Sequence, residues 1–172
     1  MRREPGAIDP EDRERALASL RASQRLVPAV LAGSAAAAVG AAAWTLVAVL
    51  LHQEWAWLAI GVGWLTGWAV RRAGRGFEVR FAALGALLAV SGIVAGKLLS
   101  LVALVAAEAD IGFWEAFARI RPEHYPALLR ETFQVMDLLF YGFAVWFAWK
   151  GSRVILPDDA VRLELERMRA ER

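Results

Sequence analysis

The sequence has no cysteine and only two histidines, His52 and His124. The first absence excludes disulfides, thiolate metal sites and cysteine nucleophiles. The second leaves no imidazole inside any long apolar stretch, because both histidines fall in connecting segments. HExxH, a P-loop and paired intramembrane aspartates are also missing, so neither a resident metal nor a cofactor is expected, and no catalytic residue is assigned. Charge is scarce in a patterned way. Four long stretches carry almost none of the 20 basic and 18 acidic residues, which crowd between and beyond them. With 58% hydrophobic residues and a mean hydropathy of +0.41, the chain lies above the usual globular balance.

The chain is organised around a Gly-rich apolar hairpin from Trp55 to Ala106. Its first arm reads WAWLAIGVGWLTGWAV, its turn RRAGRGFEVR carries four arginines, and its second arm is FAALGALLAVSGIVAGKLLSLVALVA. Two apolar runs joined by a short cationic turn are what a helical hairpin needs to cross a bilayer and return. A further run, Pro28 to Leu51, has 24 residues without a charge, enough for about 36 Å of helix against a hydrocarbon core of about 30 Å. Because about 25 mostly polar and charged residues precede it, this run is expected to remain as an anchor instead of being cleaved as a signal peptide. The last run, Phe133 to Trp149, is near the minimum length for crossing.

These runs predict an all-α membrane protein built as a four-helix bundle. The expected spans are 28–51, 55–70, 81–106 and 133–149, with an amphipathic outer loop over 107–132. A cytosolic amphipathic arm fills 1–27, where Asp9 caps a helix that Pro10 begins, and a cytosolic helix fills 150–172. In the loop, Phe113, Trp114, Phe117 and Ile120 recur at helical spacing until Pro122.

Basic residues set the orientation. Six lie in the N-terminal arm, four in the hairpin turn and six from Lys150 onward, so both termini should be cytoplasmic. The formal net charge is only +2 and the arginines flank apolar spans, so nucleic acid is not an expected partner despite a pI near 9.5.

Small residues recur four apart at Gly63 and Gly67 and again at Gly92 and Gly96, with Gly33 and Gly40 in the first span; all six are expected at close helix contacts. The string GVGWLTG is not the dinucleotide fingerprint, since its last glycine comes one position late and no strand precedes it. Two full charges sit within apolar spans, Lys97 and Asp137. Lys97 is about 13 Å from the outer end of its span and Asp137 about 6 Å into the last one, so a lysine stem reaching outward allows an ion pair. Such a pair has three readings: a device that sets helix register, part of a polar cavity with Gln134, Ser100, Glu54 and His52 at its mouth, or two groups that snorkel separately. Ser91 followed by Gly92 is like the nucleophile of intramembrane serine proteases, but Ala89 stands where that motif has glycine.

From Trp55 to Trp149 the chain resembles a widespread family of small bacterial multi-pass inner-membrane proteins. The resemblance rests on the tract AIGVGWLTGWAVRRAGRG, a second span ending GIVAGKLLS, an acidic outer loop and a last span MDLLFYGFAVWFAW. It implies a multi-pass protein of the bacterial inner membrane and brings no activity with it. The family often carries an amide at the position of Lys97, so the charge here is a departure. The expected partners are the lipid bilayer and another membrane protein or a second copy of the chain. An accessory or structural subunit is the leading expectation, and a small homo-oligomeric transporter or channel using Lys97 and Asp137 is the alternative.

Overall fold

The computed structural model describes residues 8–51 and 55–170. Among these there are eight α-helices, one 3₁₀ turn and no strand. The helices are α1 (Pro10–Ala22), α2 (Leu26–Leu51), α3 (Leu58–Gly74), α4 (Val79–Glu108), α5 (Phe113–Arg119), α6 (Tyr125–Thr132), α7 (Val135–Gly151) and α8 (Asp158–Ala170). The 3₁₀ turn, Pro122–His124, leads directly into α6.

Two helices, α2 and α4, are long and apolar enough to cross a membrane, with mean hydropathies of 2.0 and 2.2 over their most apolar windows. Helices α3 and α7 have 17 residues each, or about 26 Å, a little less than a hydrocarbon core of about 30 Å. All four form one bundle. Helices α3 and α4 pack on each other and on both α2 and α7, while α2 and α7 meet through side chains, where Trp44 faces Tyr141.

The core of this bundle is built from small side chains. Ala37, Ala41, Ala48, Ala59, Ala89, Ala144 and Ala148 are buried, whereas Leu31, Val39, Leu46, Leu87, Trp64 and Leu138 point outward and are more than half exposed. Only a third of the apolar window of α2 and half of that of α4 are covered by protein. A protein folded in water hides its large apolar side chains first, and contiguous exposed apolar surface of this kind is rare in soluble monomers. Without bulky side chains between them, helices hold together by van der Waals contact at short range.

The predicted glycines all lie at such contacts. A Cβ on Gly63 would stand 2.2 Å from the carbonyl oxygen of Ala144, and one on Gly67 2.9 Å from that of Ala148, so α3 meets α7 backbone to backbone. Gly40 lies against Val62, Gly92 against Ala37, and Gly96 against Ala41 and Trp44; Gly33 faces Leu88 and Val70. Every one of these faces is filled by the chain's own helices, so the small-residue rows are internal contacts and not a free docking surface.

One end of the bundle collects the N-terminal arm, the α3–α4 turn and the C-terminal tail. The Arg25 amide donates to the Gly74 carbonyl at 3.0 Å, and the Val154 amide to the Gly76 carbonyl at 2.8 Å. Arg75, between those glycines, takes a left-handed conformation at φ 50° and closes α3. Glycine would suit that conformation best, but Gly74 and Gly76 both press on Phe81, where an added Cβ would lie 2.6 Å and 2.0 Å from its ring. Around the turn, Glu78 accepts from Arg21 at 3.4 Å and from Arg80 at 2.7 Å.

The sequence predicts a helical arm at the N-terminus, near the headgroups or solvated, and a short solvated helix at the C-terminus, without linking the two. Helices α1 and α8 pack on each other. Ala16 and Val161 are buried, Arg13 reaches Asp158 at 3.2 Å, Arg169 reaches Asp12 at 3.4 Å, and the Ser19 hydroxyl donates to Glu164 at 2.7 Å. Each helix has too narrow an apolar stripe to be stable by itself, and each supplies the other's missing partner.

The contrast between two neighbouring glycines tests the bundle. Gly63→Ala forces a methyl group onto the Ala144 backbone and should destabilise the protein by about 1–3 kcal/mol. Gly61→Ala meets no atom within 4 Å, and helix propensity alone should make it neutral or stabilising, by up to about 1 kcal/mol. Thermal unfolding of the two purified variants, measured side by side, checks the order; equal melting temperatures would contradict the α3–α7 packing.

Candidate functional site

The site forms where the C-terminal half of α4 passes the beginning of α7. Along α4, Gly92 and Gly96 meet Ala37, Ala41 and Trp44 of α2, while Ile93, Lys97 and Leu101, four apart, form the neighbouring row. Ile93 enters the central cluster with Trp44, Ala48, Ala59, Val62 and Ala144. One turn further on, Lys97 reaches α7 and its Nζ stands 3.5 Å from Asp137 Oδ2. Both side chains are almost fully buried, at 7% and 6% exposure.

Asp137 does more than face the lysine. It is the third residue of α7 and forms a reciprocal capping box with Gln134. Its Oδ2 accepts from the Gln134 amide at 3.2 Å, while the Gln134 side chain accepts from the Asp137 amide. The carboxylate therefore has the free N–H groups and positive dipole end of α7 on one side and an ammonium on the other. This moves Gln134 from the rim of a cavity, where the sequence suggests it, into the helix cap. Ser100 is buried beside Lys97, but its hydroxyl donates to the Lys97 carbonyl at 2.9 Å, back along its own helix. His52 and Glu54 lie outside the described residues.

The capping box also sets the depth of the pair. Measured along α4, Lys97 is about 16 Å short of the helix end at Glu108. Measured along α7, the pair is in the first turn. Helix α4 thus continues well past the level at which α7 begins. Its extension is wrapped by the connecting segment, where Val102 and Ala106 form a small core with Ala116, Phe113, Ile120 and Tyr125.

Beside the pair, α4 and α7 part to leave a cleft of about 220 Å³. Ile93, Tyr141 and Val145 form its floor, Val90, Val94 and Phe133 its more exposed rim, and Leu129 of α6 closes toward its outer end, where Lys97 enters the wall. The Tyr141 ring lies 6.4 Å from Trp44 on the core side and 6.4 Å from Phe133 on the rim side, so an aromatic row connects the core to the cleft. The Trp44 indole nitrogen and the Thr66 hydroxyl are buried without a hydrogen-bond partner among the described residues. Toward the arginine-rich end, Ala29, Val70 and Phe81 pack as an apolar plug with Leu84 and Leu88.

The other candidates are dispersed. Ser91 lies on an exposed face of α4, with its hydroxyl donating to the Leu87 carbonyl at 3.0 Å. His124 is exposed at the end of the 3₁₀ turn. The GVGWLTG glycines lie inside α3, with no strand or phosphate-binding turn before them. Sequence reasoning named Lys97 and Asp137 and missed the cleft beside them. Gln134 and Asp137, three apart at the start of an apolar run, were the available signal for the cap; nothing in the spacing of Val90, Val94, Tyr141 and Val145 announces a gap between helices. Comparison with protein families, curated proteins and solved structures finds no match to this chain.

A mutant cycle separates charge pairing from helix capping. Lys97→Met leaves a buried carboxylate uncompensated and should cost about 3–5 kcal/mol. Asp137→Leu should cost at least as much, because it removes the cap as well, and the double variant should recover a large part of the summed loss. Asp137→Asn retains an acceptor for the Gln134 amide, so it should fall between Asp137→Leu and the parent. Additive losses in denaturant or thermal unfolding would show that the two charges do not interact.

Proposed function

We propose that this chain is a four-span bacterial inner-membrane protein with both termini in the cytoplasm, serving as an accessory or structural subunit of a membrane assembly. Support for the four spans comes from the outward-facing apolar side chains on α2, α3, α4 and α7 and from the collection of the three arginine-rich segments at one end of the bundle. That distribution follows the preference of basic residues for the cytoplasmic side. The resemblance to small bacterial multi-pass proteins favours the same location.

The observation that carries the subunit reading is the uncovered face of α7. The backbone of this helix packs on α3 and α4, and it reaches α2 where Tyr141 faces Trp44. Its outward side forms a shallow groove of about 550 Å³ between Val135, Leu138, Leu139, Phe143 and Trp146, with Gly142 at its base. A Cβ on Gly142 would meet no atom within 4 Å, in contrast to the six glycines that the chain uses internally. A glycine flanked by large apolar side chains is a seat for an apolar helix of a second membrane protein.

The alternative, a homo-oligomeric transporter or channel for a proton or small solute, draws on the buried Lys97–Asp137 pair. Against that reading, Ala29, Val70 and Phe81 form an apolar cluster toward the arginine-rich end. No catalytic role is proposed.

Gentle extraction from the native membrane, followed by measurement of the intact particle mass, tests the reading. A heteromeric partner in fixed stoichiometry is expected, and Gly142→Trp should release it without changing the melting temperature of the chain. A homo-oligomer would favour the transporter, and a monomer would reject both assemblies. Reporters fused to the termini test the topology independently: a periplasmic terminus would overturn the four-span arrangement.

A further inference from the structure

We propose that the cleft between α4 and α7 is a binding site for one glycerophospholipid of the outer leaflet, with an acyl chain between the helices and the lipid phosphate on Lys97. The proposal rests on the membrane reading above but not on the presence of a protein partner.

Three features of the cleft point to this occupant. Its walls are apolar apart from Lys97 and the Tyr141 hydroxyl end, so it suits a hydrocarbon chain and not a hydrated solute. It is also polarised along the membrane normal. Lys97 is at the outer end, and Val90, seven residues earlier on α4, is about 10 Å deeper. A phospholipid of the outer leaflet has the same order, with phosphate outward and chain inward. Finally, the cation lies level with Gln134 and the first turn of α7, the end of that helix which the proposed four-span arrangement puts at the outer surface. The rim residues Val90 and Val94 are 43% and 44% exposed, so the cleft opens sideways toward the lipid and a chain can enter without unfolding the bundle.

The pair with Asp137 gives the site its geometry. Asp137 is held by the Gln134 amide in the α7 cap, and it keeps the lysine side chain against the wall of the cleft. An ammonium carries three donors, and a phosphate oxygen approaching from the cleft side meets it as a charge-assisted acceptor. At about 220 Å³ the space takes part of a single chain, so binding of one lipid per protein is expected.

The test uses the full-length protein, stripped of lipid in detergent and titrated with dioleoyl phosphatidylglycerol or with dioleoylglycerol, which has the same chains and no phosphate. Native mass spectrometry reads the bound lipid. One phosphatidylglycerol should remain bound, with dioleoylglycerol retained about tenfold less. Val94→Trp fills the cleft without touching either charge and should lower phosphatidylglycerol retention about tenfold or more. Val90→Trp gives a second filling variant from the exposed rim, and the melting temperature of each establishes that it folds. Equal retention of the two lipids, or undiminished phosphatidylglycerol binding by a folded filling variant, would overturn the site. Alkaline carbonate washing of native membranes distinguishes the two levels of failure. Release of the parent protein would reject the membrane reading itself, while its retention together with indifference to the filling variants would reject only the lipid site.

Discussion

The approach of α3 to α7 at Gly63 and Ala144 is the contact on which the rest of the molecule depends. With no side chain between the two backbones, α7 is drawn closely against the hairpin of α3 and α4 and meets α2 where Tyr141 faces Trp44. Its first turn then falls beside Lys97, and the capping carboxylate of Asp137 becomes the counterion of that lysine. A bulkier residue at position 63 would push α7 outward and separate the charges while leaving both helices intact. The buried pair is thus a consequence of backbone packing as well as a contributor to it, since breaking either charge strands the other in an apolar environment.

The distribution of side chains supports the same logic at larger scale. Alanine and glycine inside with leucine, valine and tryptophan outside would be an unstable choice in water, where burying the large side chains supplies the main driving force. In lipid that driving force between helices vanishes, and the useful residues are those that let helices come close. Phe81 and Trp44 are the largest fully buried side chains among the described residues, and Val62, Val70, Ile93 and Val102 are smaller buried ones. Phe81 fills the space beneath the arginine-rich turn and Trp44 the space between α2 and the cleft side of α7.

Much of this was legible in the sequence because the signals were local. The apolar runs mark α2, α3, α4 and α7 to within about four residues at each end, and Asp9–Pro10 marks the start of α1 through its cap. Lys97 and Asp137 stood out because each interrupts an apolar run, and antiparallel geometry made their meeting calculable. What could not be read depends on tertiary arrangement. The glycine rows declare that helices come close but not which helix supplies the other face, so the sequence leaves external docking open where the structure has internal packing. The depth of the pair required knowing that Gln134 and Asp137 close a cap, which starts α7 two residues after the apolar run begins. The union of α1 and α8 was illegible for another reason: both are weakly amphipathic and rich in both signs of charge, a pattern equally compatible with solvent.

That union has a consequence for the life of the chain. Ser19 and Glu164 are 145 residues apart in sequence, and Asp12 and Arg169 are separated by 157. Synthesis runs from the N-terminus, so α1 emerges first and waits, its buried face uncovered, until every helix of the bundle has been made and α8 follows. The clasp at the arginine-rich end can close only after α2 to α7, which lie between its two halves, have been made. A chain cut between α7 and α8 therefore leaves the Ala16 face of α1 uncovered, while the contacts among α2, α3, α4 and α7 stay in place.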